Sequence, residues 1–126
     1  MMVRGIRGAI SVEANTAEAI HGATGTLLEA MMAQNDLVPD QIVSVFLTCT
    51  TDLNAAFPGY ACRQIPGFDR VPLLGAQEMD VPGALPQCLR ILLQANCDRT
   101  LDEIQHVYLG AAARLRPDLA GPAESR

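Results

Sequence analysis

The 126-residue chain has no tryptophan, only three phenylalanines and two tyrosines, and no lysine, so all nine basic residues are arginine. With aromatics so scarce and 49% of residues hydrophobic, the core has to be built from alanine, leucine, isoleucine, valine and methionine, which excludes disorder for all but the tail. There is no basic run, and the net charge is -5 at pH 7. Both features argue against a nucleic-acid partner, because phosphate binding needs a concentrated basic surface. The amino terminus, Met1 to Gly8, lacks a long apolar segment, so neither a signal peptide nor a membrane span is expected and a cytoplasmic protein follows by default.

Metal and nucleophile signatures are missing too. Cys49, Cys62, Cys88 and Cys97 show no C-x-x-C spacing and lie in or beside apolar runs, so reduced, mostly buried thiols are expected. His21 and His106 form no ligand spacing with the carboxylates, and no family-specific signature surrounds any cysteine, so neither a metal nor a thiol nucleophile is expected. The glycines of Arg4-Gly5-Ile6-Arg7-Gly8 fall inside a strand pattern and not in a strand-to-helix turn, which argues against phosphate cradling. An all-arginine basic set has a bland source in genomic base composition; its functional reading is bidentate grip on carboxylates.

What is present reads as one domain without a linker, large enough for a core but small enough that a deep pocket calls for a second subunit. Residues 3–10 alternate as a strand, with Ile6, Gly8 and Ile10 on one face and Arg7 among small residues on the other. Asn15 or Thr16 then caps a helix whose buried stripe is Ile20, Leu27, Leu28 and Met31, ending near Asn35-Asp36. A second strand, 42–49, is apolar on both faces and reads as central. A polar turn at 50–54, a short helix through Arg63 and a third strand at 71–76 follow, with Phe57 and Arg63 placed at a pocket edge. For 87–95 helical and strand periods both fit, and a last strand is expected over 106–113 after a short helical turn at 101–105.

The stretch from Ala76 to Arg90 sets Glu78 and Arg90 beside apolar runs, with Pro82, Gly83 and Pro86 marking a loop. A charge in such a setting is paired, hydrogen-bonded or awaiting a ligand. For one arginine alone, an ion pair with Glu78, Asp80 or Asp52 that completes the fold is the better reading. If 87–95 is a strand, Arg7, Arg90 and Tyr108 share the sheet face opposite the larger aliphatic residues, and that shifts the balance toward a ligand site. A half-polar sheet face in so small a chain also suits docking of another copy, so a homo-oligomer is expected.

Five segments in order, Val3-Arg4-Gly5-Ile6-Arg7-Gly8-Ala9, Asp52-Leu53 with Ala56-Phe57-Pro58, Gln77-Glu78-Met79-Asp80-Val81, His106-Val107-Tyr108-Leu109 and Arg114-Leu115-Arg116-Pro117-Asp118-Leu119, closely resemble the AroH-type chorismate mutases over almost the whole chain. The resemblance implies an α+β fold: a mixed β-sheet with a long helix on one face, in a homotrimer of sheet-packed subunits with active sites at the subunit interfaces. It makes 87–95 a strand, divides the chain into a domain at 1–113 and a mobile tail at 114–126, and implies the unimolecular [3,3] rearrangement of chorismate to prephenate without metal or cofactor. By the same resemblance Arg90 faces the ether oxygen and one carboxylate, Arg7 and Tyr108 bind a carboxylate, and Glu78 accepts a hydrogen bond from the ring hydroxyl. Phe57 packs on the substrate from the neighbouring subunit, Arg63 stands at the pocket mouth, and Leu115 with Arg116 closes the site. Two positions depart from the family pattern: Gly75, where cysteine is usual and the backbone remains available, and Tyr60, where lysine is frequent. A trimeric, non-catalytic binder of small aromatic or keto acids is the main rival reading. A regulatory module responding to aromatic amino acids is a lesser one, because the chain leaves no room for a regulatory domain.

Overall fold

The computed structural model describes residues 1–115. Its five strands, β1 (Met2–Ser11), β2 (Ile42–Cys49), β3 (Leu73–Gln77), β4 (Cys88–Cys97) and β5 (Val107–Leu109), form one sheet in the order β3-β2-β4-β1-β5. β4 runs antiparallel to both β1 and β2, while β3 is parallel to β2 and β5 is parallel to β1. The sheet is therefore mixed, and β2 lies inside it as its apolar character requires. The ambiguous segment at 87–95 is a strand because β1 and β2 flank it and take up its backbone hydrogen bonds, along a ladder that reaches Cys97 with β1 and Ala95 with β2.

Helix α1 (Ala17–Gln34) covers one face. Thr16 is its cap, accepting from Ala19 N at 3.1 Å, whereas Asn15 accepts instead from the backbone of Asn54 and Ala55. Ile20, Leu27, Leu28 and Met31 are fully buried as the stripe predicts, and each such side chain contributes about 1.5 to 3 kcal/mol. They pack on Ile6, Val45, Leu47, Leu89, Ile91 and Leu93 of the sheet. Close approach needs Gly8, where a β-carbon would stand 2.4 Å from Met31 Sδ. At the helix end buried Asn35 donates to Met31 O at 2.9 Å and exchanges two 2.8 Å hydrogen bonds with the Gln105 backbone, tying α1 to the segment that leads into β5.

The other face of the sheet is bare in the single chain. Leu74, Phe46 and Leu92 are register partners across β3, β2 and β4, so they form a continuous apolar ribbon there, with Phe46 38% and Leu92 40% exposed. One expectation is corrected. The last strand is only three residues long, not 106–113, because Gly110 adopts φ 60° and turns the chain into a 3-10 segment, Gly110–Arg114. Ala111 N then donates to Ser11 Oγ at 3.0 Å, and a β-carbon at Gly110 would meet that same oxygen at 2.4 Å. The short helix α2 (Gly59–Arg63) follows Pro58. No helix among the described residues is long and apolar enough to cross a membrane.

Candidate active site

Strand register brings the separate charges together. Thr48 pairs with Arg90, Arg90 with Ala9 and Ala9 with Tyr108, so one row crosses β2, β4, β1 and β5. The next row holds Phe46, Leu92 and Arg7. Ala9 is the small member that leaves space between Arg90 and Tyr108. The resulting concavity of about 300 Å³ is lined by Arg7, Thr48, Glu78, Arg90 and Tyr108, with Phe46, Ile91 and Leu92 as apolar wall. Tyr108 is only 5% exposed and packs with Ala9, Cys88, Ala112 and Ala113, so the 3-10 segment backs the far end of the concavity.

Glu78 sits in the loop directly after β3, as expected. Its N–H donates to Cys49 O at 2.9 Å, its Oε1 accepts from Met79 N at 2.9 Å, and Thr48 Oγ1 approaches Oε2 at 3.4 Å. Arg90 Nε lies 3.2 Å from Glu78 Oε2, an ion pair by distance, so the reading of these charges as paired holds in part. That Nε is nevertheless sealed from solvent and makes no hydrogen bond, because its N–H is not aimed at the carboxylate. The Glu78 carboxylate at 3.2 Å still offsets the charge of the sealed Nε, while 42% of the Arg90 side chain remains exposed. The Arg7 side chain has no hydrogen-bond or ion-pair partner among the described residues, and its backbone N–H donates to His106 Nδ1 at 3.0 Å. Two guanidinium groups with unused donors beside a tyrosine suit carboxylates.

The remaining candidates gather elsewhere. Phe57, Arg63 and Gly75 line a second groove, with Tyr60, Leu73 and Leu47, that shares no residue with the first. Phe57 is 84% exposed, an unusual state for a phenylalanine with no covering partner. Tyr60 stacks at 4.9 Å from the His21 ring. Leu115 packs beside the Tyr108 cluster, Arg114 ends the 3-10 segment, and Arg116 with the rest of the expected tail lies outside the described residues. The four cysteines are buried and unbridged. Burial pushes the Cys88 thiol up despite the opposing Arg90 guanidinium. No cluster of three metal-ligating side chains occurs among the described residues. Sequence reasoning missed Thr48, Phe46 and Leu92 as lining residues. The polar position in an apolar strand marks Thr48, but only the pairing with β4 sets it beside Arg90.

The family model for chorismate mutase type I matches residues 3–119. This chain belongs to that family. Its sequence is 53% identical over 119 residues to the chorismate mutase AroH of Thermus thermophilus, covering 94% of this chain and 97% of that protein. It is 44% identical over 120 residues to the AroH of Bacillus subtilis, covering 95% and 94% respectively. The solved chorismate mutase from Clostridium thermocellum superposes with a TM-score of 0.86 at 41% identity, covering 88% of this chain and 98% of that one. Family members of this kind are isomerases, and the α+β architecture described above is theirs.

Proposed function

We propose that this chain is a cytoplasmic enzyme converting chorismate to prephenate at sites completed between copies of itself in a homotrimer. The observation that carries the reading is the meeting of Arg7, Glu78, Arg90 and Tyr108 around one concavity, with the Arg7 side chain unpaired among the described residues. The reaction is unimolecular, so the protein has two tasks: to hold a flexible dianion in a chair-like conformer and to stabilise negative charge as it grows on the breaking ether oxygen. Arg7 and Tyr108 hold a carboxylate and Glu78 accepts from the ring hydroxyl. Arg90 faces the ether oxygen, so its contribution is greatest in the transition state. No proton moves and no covalent intermediate forms.

The interface part of the proposal is supported by the split between the two grooves and by the bare apolar ribbon of Leu74, Phe46 and Leu92. A second copy docked on the ribbon brings Phe57, Arg63 and the Gly75 backbone of one chain to the Arg90 concavity of another.

Incubating the purified protein with chorismate and following its loss distinguishes catalysis from non-catalytic binding. Bound chorismate that persists unchanged refutes the enzyme. Interface sites are tested by mixing two inactive variants, Arg90→Gln and Phe57→Asp, under conditions that exchange subunits. About a quarter of the sites in an equal mixture then combine two intact halves and activity returns. If each site lay within one chain, no activity would return.

A further inference from the structure

The turn at Thr50 to Asp52 grips the chain just ahead of β4. Thr50 N donates to Cys88 O at 3.0 Å, and Cys88 N donates back to Thr50 Oγ1 at 3.0 Å. One residue earlier, Gln87 N donates to both Asp52 carboxylate oxygens, at 2.9 and 3.2 Å. The Thr50 hydroxyl donates to that same carboxylate at 2.5 Å, holding it in place. Gln87 has φ 47°, a left-handed conformation that a residue with a β-carbon adopts only at a cost. Its carbonyl accepts from Val12 N at 2.7 Å, so both of its backbone polar groups are fixed.

This turn lies three residues before Arg90. Arg90 emerges on the site face only if β4 enters the sheet with Cys88 opposite Ser11 and Leu89 opposite Cys49. A shift of one residue would send it into the core. The other end of the same loop is Glu78, whose N–H is held by Cys49 O. Glu78 and Arg90 therefore both hang from residues 49–52, yet Asp52 itself does not line the concavity. A glycine at position 87 would take the left-handed turn without help; this chain has glutamine there, and Asp52 supplies the restraint.

We propose that Asp52 is a positioning residue for the rearrangement, its carboxylate holding Gln87 in the turn that aims Arg90 and closes the loop toward Glu78. The inference rests on Arg90 and Glu78 acting on the substrate as proposed above. Steady-state kinetics of Asp52→Ala, measured well below the melting temperature, are expected to show kcat lowered about tenfold with KM little changed, since the misplaced group acts mainly in the transition state. Adding Gln87→Gly to that variant is expected to restore most of the loss, because glycine needs no restraint at this φ. Gln87→Gly alone should turn over like the parent.

Two results overturn the proposal: Asp52→Ala within twofold of the parent, or a folded Asp52→Ala whose lost activity Gln87→Gly does not recover. Should Asp52→Ala fail to fold, Asp52→Leu, similar in size but without an acceptor, is read by the same two criteria. Arg90→Gln assayed alongside separates the layers. If it is fully active, the reading of the site fails; if it is inactive while the Asp52 and Gln87 pair shows no rescue, only the present inference fails.

Discussion

Replacing Arg90 with glutamine removes the charge but keeps a planar amide, and the size of the loss reports on the surroundings of the site. A unit charge about 4 Å from growing negative charge contributes about 1 kcal/mol in bulk water and about 4 kcal/mol at the effective dielectric of a protein-lined site. In the single chain 42% of the Arg90 side chain meets solvent, although its Nε is sealed. The proposed second copy, seated on the bare sheet face, would move the site toward the second limit. The expected loss is therefore roughly 3 to 4 kcal/mol, on the order of 10²- to 10³-fold in kcat. The assay is chorismate disappearance at saturating substrate, with sedimentation checking that the assembly persists. A loss of only about fivefold corresponds to the aqueous limit and would refute a site closed by another subunit. Near-parental turnover would refute the role of Arg90 altogether.

Glu78→Gln is expected to be milder than Glu78→Ala in kcat/KM, since the role proposed for Glu78 is to accept a hydrogen bond and not to move a proton; equal, steep losses with a matching inflection in the pH-rate profile would indicate a general base instead. Burial pushes the Cys49 and Cys62 thiols from an ordinary 9.0 up to about 11. A folded value above the unfolded one gives stabilisation that is complete below about pH 9 and lost as pH rises through 11, so the melting temperature should hold to about pH 8 and fall across that window. Replacing both cysteines with alanine should flatten the fall, and an unchanged slope would assign it to other groups.

The first three strands, the main helix and the likeness of all five motifs were legible in the sequence because each depends on local periodicity or on residue identity in order. Ile6 and Gly8 alternate against Arg7 whatever the partner strand is, and the α1 stripe follows from helical spacing alone. The end of β5 was not legible. Val107 to Ala113 alternates well enough for a strand, but the left-handed turn at Gly110 and its contact with Ser11, a hundred residues away in sequence, decide where the strand stops. Segment 87–95 illustrates the same limit, since both periods fit until β1 and β2 are placed on either side of it.

For the site, residue types and strand faces pointed to paired guanidinium groups and a tyrosine suited to carboxylates, and the family resemblance supplied the dianion and its chemistry. Which groups meet was decided by register: Thr48, Arg90, Ala9 and Tyr108 come from four strands and form a row only once the sheet is assembled. Tertiary structure likewise separated Phe57, Arg63 and Gly75 from that row and left Arg90 Nε sealed without an acceptor. Sequence specifies side-chain direction within a strand, but which side chains of different strands stand side by side belongs to the folded sheet.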